Sequence, residues 1–144
     1  MRLNHLGRID RLPPPLQEAI TAAMTLTQGN TGLVLSVAFD YGGRDEILHA
    51  VKRIIADRIP PEQLDEPTLS RYLYTDGIPD PDLIVRTGGE MRLSNFLLWQ
   101  SAYSEHYVTE IRWPDFDEAE FHKALDVHRN RQRRFGGLRP SEAR

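Results

Sequence analysis

The sequence predicts an α/β domain with a mainly parallel sheet flanked by helices. Two observations carry this prediction. Short apolar runs alternate with helical patterns, and the two clearest runs each end in a glycine turn. The 144 residues suit one domain. We expect an incomplete domain over residues 1–137, because good strands are few, and a flexible polar tail over residues 138–144.

Composition limits the classes of function. The net charge of −3 gives no general attraction to nucleic acid or to an anionic membrane, so no nucleic-acid partner is expected. The absence of cysteine excludes disulfides and thiolate metal sites. No apolar run reaches the roughly 20 residues that span a bilayer, and no signal-peptide pattern is present. A cytoplasmic location is therefore expected.

The first half of the chain is predicted to hold a helix between two strands. Arg2–Leu6 is a short strand candidate, and the prolines at positions 13–15 permit a helix to begin. Leu33–Phe39 is nearly continuously apolar between turn residues, which predicts a strand covered on both faces. The helix between them has one apolar face, formed by Leu16, Ile20, Ala23, Met24 and Thr27.

The middle of the chain repeats this plan. The turn Tyr41–Arg44 ends the first buried strand, and a helix follows it. A short helix is predicted over Thr68–Thr75. Asp82–Arg86 reads as a second buried strand, which ends in the turn Thr87–Gly89. The first of these helices is expected to place Ile47, Val51, Ile54 and Ile55 on one side.

The last third is predicted to hold two helices around a short strand. Ser94–Tyr103 is expected to be helical with Ser94 as its N-cap. Thr109–Trp113 is the strand candidate, and Asp117 opens the final helix in a capping box with Glu120. Phe121, Ala124, Leu125 and His128 would form that helix's apolar face. Two good strands make a small sheet, so we expect the chain to be part of a larger protein or to pack against a partner chain.

Both strand-end turns carry arginine, which points to anion binding. Ligands of open α/β sheets sit beyond the carboxyl ends of strands, and glycines let a backbone approach an anion closely. Arg86 and Arg92 offer planar forks of donors suited to phosphate oxygens, and Ser94 adds a hydroxyl. The alternative is a capped turn with surface arginines, and these residues alone leave both interpretations open.

Carboxylates could complete such a site with magnesium, which prefers oxygen ligands. Glu105, expected at the end of the Ser94–Tyr103 helix, is one candidate, and spacing does not exclude Asp80, Asp82 or Glu90. The histidines show no metal-ligand spacing. No nucleophile with a paired base, P-loop or dinucleotide fingerprint is visible.

The segment of residues 82–100 closely resembles the signature of cis-prenyltransferases of the undecaprenyl diphosphate synthase type. Tyr41–Arg44, Trp113–Phe116 and Arg133–Gly137 also fit that family, in the same order. The resemblance implies that the chain helps to condense isopentenyl diphosphate with an allylic prenyl diphosphate, forming a new cis double bond at each step. In bacteria the product is typically undecaprenyl diphosphate, a precursor of the lipid carrier for cell-wall sugars.

The resemblance also implies roles for individual residues. Arg86, Arg92 and Ser94 would hold isopentenyl diphosphate, and Glu105 would bind Mg²⁺. Arg134 and Gly136 match an Arg-x-Gly element that reaches toward the active site across a dimer interface in the family. A homodimer, or association with a complete chain, is therefore expected.

One feature of the family is absent from the sequence. Members usually begin with a strand that ends in an Asp-Gly-Asn-Gly-Arg-Trp-like segment, whose aspartate helps bind magnesium and the allylic diphosphate. The expected fold is thus an N-terminally truncated version of the cis-prenyltransferase fold, with no visible catalytic residue. We expect the chain alone to be inactive or nearly so, and exposed apolar surface to favour self-association. The alternative is a non-catalytic partner subunit. Product release implies peripheral contact with a membrane.

Overall fold

The computed structural model describes residues 1–130, which fall into two compact units. One unit comprises Met1–Pro79 and Asn95–Trp99, and the other comprises Asp80–Ser94 and, among the described residues, 100–130. Each unit holds one two-stranded parallel sheet with its own helices. The predicted α/β class is therefore confirmed. The single domain over residues 1–137 stays a prediction, and the tail over 138–144 lies outside the described residues.

The first unit follows the predicted order of elements. Its sheet pairs β1 with β2 in parallel, with Arg2 opposite Val34 and Leu6 opposite Ala38. The elements of this unit are β1 (Arg2–Leu6), α1 (Pro14–Thr27), β2 (Val34–Ala38), α2 (Gly43–Ala56) and α3 (Glu66–Tyr72).

Helix α1 is attached to the sheet through its last turn. The Thr27 hydroxyl accepts a hydrogen bond from the Leu3 amide (3.0 Å) and donates one to the Ala23 carbonyl (2.8 Å). The predicted apolar face of α1 then lines an apolar cleft of about 240 Å³ against the strands. The cleft is formed by Leu3, Asn4, His5, Leu16, Ile20, Ala23, Met24, Val37 and Phe39.

Strand β2 is present, but the prediction that it is covered on both faces is wrong. Val37 and Phe39 are 48% and 49% exposed, and Leu33 and Leu35 are also exposed. Within residues 1–130 only β1 pairs with β2, so its other edge stays open. An apolar run therefore identified the strand correctly but not its environment.

Helix α2 buries a stripe that shares only Ile54 with the predicted side. Its buried positions include Glu46, Ala50 and Ile54, four residues apart, whereas Ile55 is 70% exposed. Glu46 is tolerated in this buried stripe because its carboxylate oxygens both accept hydrogen bonds. It accepts from the Tyr41 hydroxyl at 2.5 Å and from the Tyr74 amide at 2.8 Å. Burial and this carboxylate raise the pKa of the Tyr41 phenol.

The second unit is built on another parallel pair. β3 (Leu83–Thr87) pairs with β4 (Glu105–Thr109), with Leu83 opposite Glu105 and Thr87 opposite Thr109. The last strand was predicted over Thr109–Trp113, which is wrong. The strand ends where that range begins, and residues 113–115 form a single 3₁₀ turn that starts at Trp113 and contains Pro114.

The helix predicted over Ser94–Tyr103 does not form. Ser94, Asn95 and Leu97 have positive φ angles of 50°, 63° and 45°, which are incompatible with a right-handed helix. Asn95 is held in this conformation by the start of α2. Its carbonyl accepts from the Gly43 amide (2.7 Å) and its side-chain oxygen accepts from the Arg44 amide (2.9 Å). These bonds displace helical ones, so Ser94 is not an N-cap.

Helix α4 (Glu118–Asn130) begins as predicted. The Asp117 carboxylate accepts from the Glu120 amide at 2.9 Å, which is an N-cap. The Glu120 carboxylate accepts from the Tyr107 hydroxyl (2.6 Å) and Lys123 (2.8 Å) rather than from the Asp117 amide, so the predicted capping box is present only in its Asp117 half. On the predicted apolar face Ala124 is buried but Phe121 is 46% exposed. No helix in the described part of the chain is long and apolar enough to cross a membrane.

Candidate functional site

The turn after β3 is a rigid backbone structure. Gly88 and Gly89 have φ angles of 86° and 77°, a region that glycine enters without a steric penalty. The Gly88 amide donates to the Ile111 carbonyl and the Gly89 amide to the Thr109 carbonyl, both at 2.9 Å. These two amides are already paired with carbonyls. The glycines therefore shape the turn, and side chains must supply the donors for an anion.

The structure brings the two predicted arginines together on a single carboxylate oxygen. Arg86 lies one residue before the end of β3, and its Nη2 is 3.1 Å from Glu90 Oε2. Arg92 Nη2 lies 2.5 Å from the same oxygen. The two arginines therefore share one partner, while the choice between anion binding and a capped turn with surface arginines stays a prediction. Sequence reasoning treated Glu90 as a metal-ligand candidate and missed its role between the arginines.

The cluster of Arg86, Glu90 and Arg92, called here the arginine cluster, keeps most of its binding capacity. Each guanidinium has five N–H donors and Glu90 engages one nitrogen of each. The cluster has a net charge of +1, since one carboxylate faces two guanidiniums. The Arg92 side chain is 65% exposed and so remains accessible to a ligand. These properties suit a phosphate-bearing anion.

Ser94 lies on the same loop as the arginine cluster. It follows Arg92 by two residues, is exposed and has a left-handed backbone. The loop between Gly89 and Ser94 contains no helix or strand. Its backbone begins at the hydrogen-bonded glycine turn, which fixes the position of the first loop residue. All three predicted diphosphate ligands thus lie on one continuous segment of the second unit.

Glu105 occupies a different place from the predicted one. It is the first residue of β4, and its amide donates to the Asp82 carbonyl at 3.0 Å. Arg86 pairs with Val108, three positions farther along the strand, which is about 10 Å at 3.3 Å per residue. The structure therefore brings the arginines together but places Glu105 toward the opposite end of this sheet.

The carboxylates at that end have the donor chemistry that magnesium prefers. Asp82 immediately precedes β3 and Glu105 begins β4, so two carboxylate residues start neighbouring strands. Magnesium is often held by one or two carboxylates together with phosphate oxygens. Across residues 1–130 no three carboxylate or histidine groups assemble a protein-only metal site. The residues offer oxygen ligands of the kind that magnesium prefers, at the end of the sheet away from the arginines.

The first strand-end turn is an architectural feature. A Cβ atom at Gly43 would lie 2.8 Å from Leu98 Cγ and 3.2 Å from the Asn95 carbonyl oxygen. Arg44 is exposed, and its amide is held by Asn95. Sequence reasoning missed Glu46 and Asn95. Asn95 falls inside the recognised motif, but a buried glutamate in a charged helix gives no signal in a single sequence.

Two predicted site residues, Arg134 and Gly136, lie outside the described residues.

Comparisons with known proteins identify relatives of this chain. A family model described as "Putative undecaprenyl diphosphate synthase" matches residues 1–136. The chain is 49% identical over 142 residues to an isoprenyl transferase from Oceanobacillus iheyensis, covering 96% of this chain and 56% of that protein. It is 48% identical over 140 residues to one from Clostridium tetani, covering 94% and 55%. The chain thus spans little more than half the length of these relatives.

Two solved structures share the fold. Lavandulyl diphosphate synthase from Lavandula x intermedia, in complex with dimethylallyl diphosphate, aligns with a TM-score of 0.89 at 41% identity. The alignment covers 94% of this chain and 60% of that one. A probable undecaprenyl diphosphate synthase from Campylobacter jejuni aligns with a TM-score of 0.84 at 39% identity, covering 94% and 62%.

Proposed function

Since the chain belongs to the undecaprenyl diphosphate synthase family of cis-prenyltransferases, we propose that it serves prenyl transfer by binding isopentenyl diphosphate through Arg86, Arg92 and Ser94. The observation that carries this proposal is the convergence of both arginines on Glu90 Oε2. Two guanidiniums at one point provide paired donors for a group with two adjacent phosphates.

The reaction is the condensation of isopentenyl diphosphate with an allylic diphosphate. The allylic carbon–oxygen bond breaks and inorganic diphosphate leaves. A carbon–carbon bond to the alkene of isopentenyl diphosphate forms, and the loss of a proton creates the new cis double bond. The names of the isoprenyl transferase relatives support this chemistry. The dimethylallyl diphosphate bound by the lavandulyl diphosphate synthase supports an allylic diphosphate as the second substrate.

The chain's own residues would act mainly by positioning. Arginines and a serine on one loop fix the diphosphate of isopentenyl diphosphate, so that its alkene is held in one place. Holding two reactants in register removes much of the entropic barrier to their combination. Because the chain spans little more than half of its relatives, we expect it to bind this substrate but to turn it over slowly or not at all.

Magnesium and a second subunit belong to the same proposal. Glu105, next to the Asp82 backbone, would hold Mg²⁺. When bound, the ion would offset the negative charge of a substrate diphosphate. Arg134 and Gly136 would reach a neighbouring subunit's site in a homodimer, as the family resemblance implies. Undecaprenyl-type products and peripheral membrane contact are part of this proposal as well.

Calorimetry with isopentenyl diphosphate and Mg²⁺ tests the binding role. Arg86→Ala is expected to weaken binding by about 1.5 to 3 kcal/mol, the range for a hydrogen bond to a charged group. Arg86→Lys should give an intermediate loss, since lysine keeps the charge but not the planar fork. Arg129→Ala is the matched control, because Arg129 is an exposed arginine on α4 of the same unit. No binding by a well-folded wild-type chain would contradict the proposal.

A further inference from the structure

Glu90 sits at the centre of the arginine cluster, yet a carboxylate is an unfavourable neighbour for a diphosphate. Two effects of opposite sign are therefore possible. Its negative charge repels the ligand, whereas its ion pairs fix the arginines that hold the ligand. The geometry decides which role to assign.

The backbone at Glu90 is fixed before any ligand arrives. It directly follows Gly88 and Gly89, whose amides are bound to the carbonyls of Ile111 and Thr109. Arg86 is equally fixed at its backbone, because it lies in β3 opposite Val108. The Glu90 carboxylate thus extends from one rigid element to the side chain of another.

Arg92 lies on the loop that continues past Glu90. Its side chain is largely exposed, and arginine loses much rotamer freedom when it is immobilised on a ligand. Pairing with Glu90 Oε2 restricts Arg92 in advance and keeps it beside Arg86. One nitrogen of each guanidinium is used, and the remaining donors stay available to a ligand.

We propose that Glu90 is a positioning residue that holds Arg86 and Arg92 together as one preorganised diphosphate-binding unit. This inference deepens the proposed function and rests on it. Glu90 acts through its acceptor oxygen, and its charge opposes the ligand. The two contributions can therefore be separated by substitutions that remove one or both of them.

Glu90→Gln removes the charge and keeps a side-chain acceptor oxygen, whereas Glu90→Ala removes both. With inorganic diphosphate as the calorimetric probe, Glu90→Gln is expected to bind as tightly as wild type or up to about threefold more tightly. Glu90→Ala is expected to bind at least fivefold more weakly than Glu90→Gln. Glu118→Gln, an exposed glutamate on α4 of the same unit, is the control for loss of a distant charge.

The ligand-free protein gives a second readout that a general structural role would not change. Side-chain NMR of the guanidinium groups should show restricted rotation for Arg86 and Arg92 in wild type and Glu90→Gln. In Glu90→Ala the rotation should become fast while the melting temperature stays close to that of wild type. Equal affinity of the alanine and glutamine variants, or tighter binding by the alanine variant, would overturn the inference.

The same titrations separate this inference from the proposed function. If wild type binds inorganic diphosphate in a Glu90-dependent way but does not bind isopentenyl diphosphate, the prenyl-transfer role fails and the positioning role stands. If wild type binds neither, both fail.

Discussion

The two strand-end turns have nearly the same sequence pattern and opposite uses. In the first unit Gly42 and Gly43 provide space, because the Asn95 and Leu98 side chains occupy the positions where Cβ atoms would lie. In the second unit Gly88 and Gly89 provide left-handed backbone angles, and Gly89 also leaves room for the Glu110 carboxylate, whereas a Cβ atom at Gly88 would meet nothing. The first turn leads into a helix stabilised by buried hydrogen bonds, and the second presents charged side chains. A strand followed by Gly-Gly and a charged residue is therefore not in itself a binding motif.

The largest expected effect tests the architectural side of this comparison. Glu46→Ala should destabilise the chain by about 3 kcal/mol, because it leaves the Tyr41 hydroxyl and the Tyr74 amide without their buried acceptor. Urea unfolding followed by circular dichroism measures the change. Glu62→Ala, at an exposed position of the same unit, should stay within about 0.5 kcal/mol of wild type. A loss below 1 kcal/mol would mean that Glu46 does not anchor this turn.

The glycines themselves give the next largest effect. Gly43→Ala should cost about 2 kcal/mol through a clash with Leu98, and Gly88→Ala about 1 kcal/mol through left-handed strain alone. Asparagine discriminates the two causes. It tolerates left-handed angles but is larger, so Gly88→Asn should be milder than Gly88→Ala, and Gly43→Asn more severe than Gly43→Ala. The same rank order at both positions in thermal melts would contradict the assignment.

The sequence predicted most of the elements because local patterns determine them. The α1 face, the Asp117 N-cap and the parallel strands all follow from spacing and propensity. Tertiary hydrogen bonds overrode the pattern where the predictions were wrong. The Asn95 side chain accepts a hydrogen bond from the Arg44 amide at the start of α2, in place of the bonds of the predicted helix. Glu46 can be buried because its carboxylate accepts hydrogen bonds from two donors. Arg86 and Arg92 were recognised from the motif, but their convergence on Glu90 depends on loop geometry.

The second unit carries a pH-sensitive contact at Glu120 of α4. Hydrogen bonds from Lys123 and from the Tyr107 and Thr109 hydroxyls lower the pKa of Glu120 from 4.5 to about 2. The stability that Glu120 adds is therefore present above its unfolded pKa and is lost as the pH falls through about 2. Wild type should become less stable between about pH 4.5 and 2, and Glu120→Gln should lose less over that range. Parallel pH profiles in urea unfolding would contradict this role.

The smallest expected effect concerns the exposed apolar residues of β2 outside the cleft against α1. Val34 and Leu35 are 41% and 43% exposed, and the second edge of their strand is unpaired within residues 1–130, which favours association between copies of the chain. Light scattering should show concentration-dependent association of wild type and less of it for Leu35→Lys. Leu26→Lys, at an exposed position of α1, is the control and should leave association unchanged. A wild-type chain that stays monomeric at all concentrations would contradict this prediction.

An NMR titration with isopentenyl diphosphate and Mg²⁺ compares the two turns most directly. We expect the largest shifts at the guanidinium groups of Arg86 and Arg92 and at the amides from Gly88 to Ser94. The amides of Gly42 and Gly43 should shift little, since their turn is architectural. Saturable shifts that are largest at Gly42 and Gly43, or no shifts in a folded chain, would contradict the claim that the end of β3 holds the diphosphate.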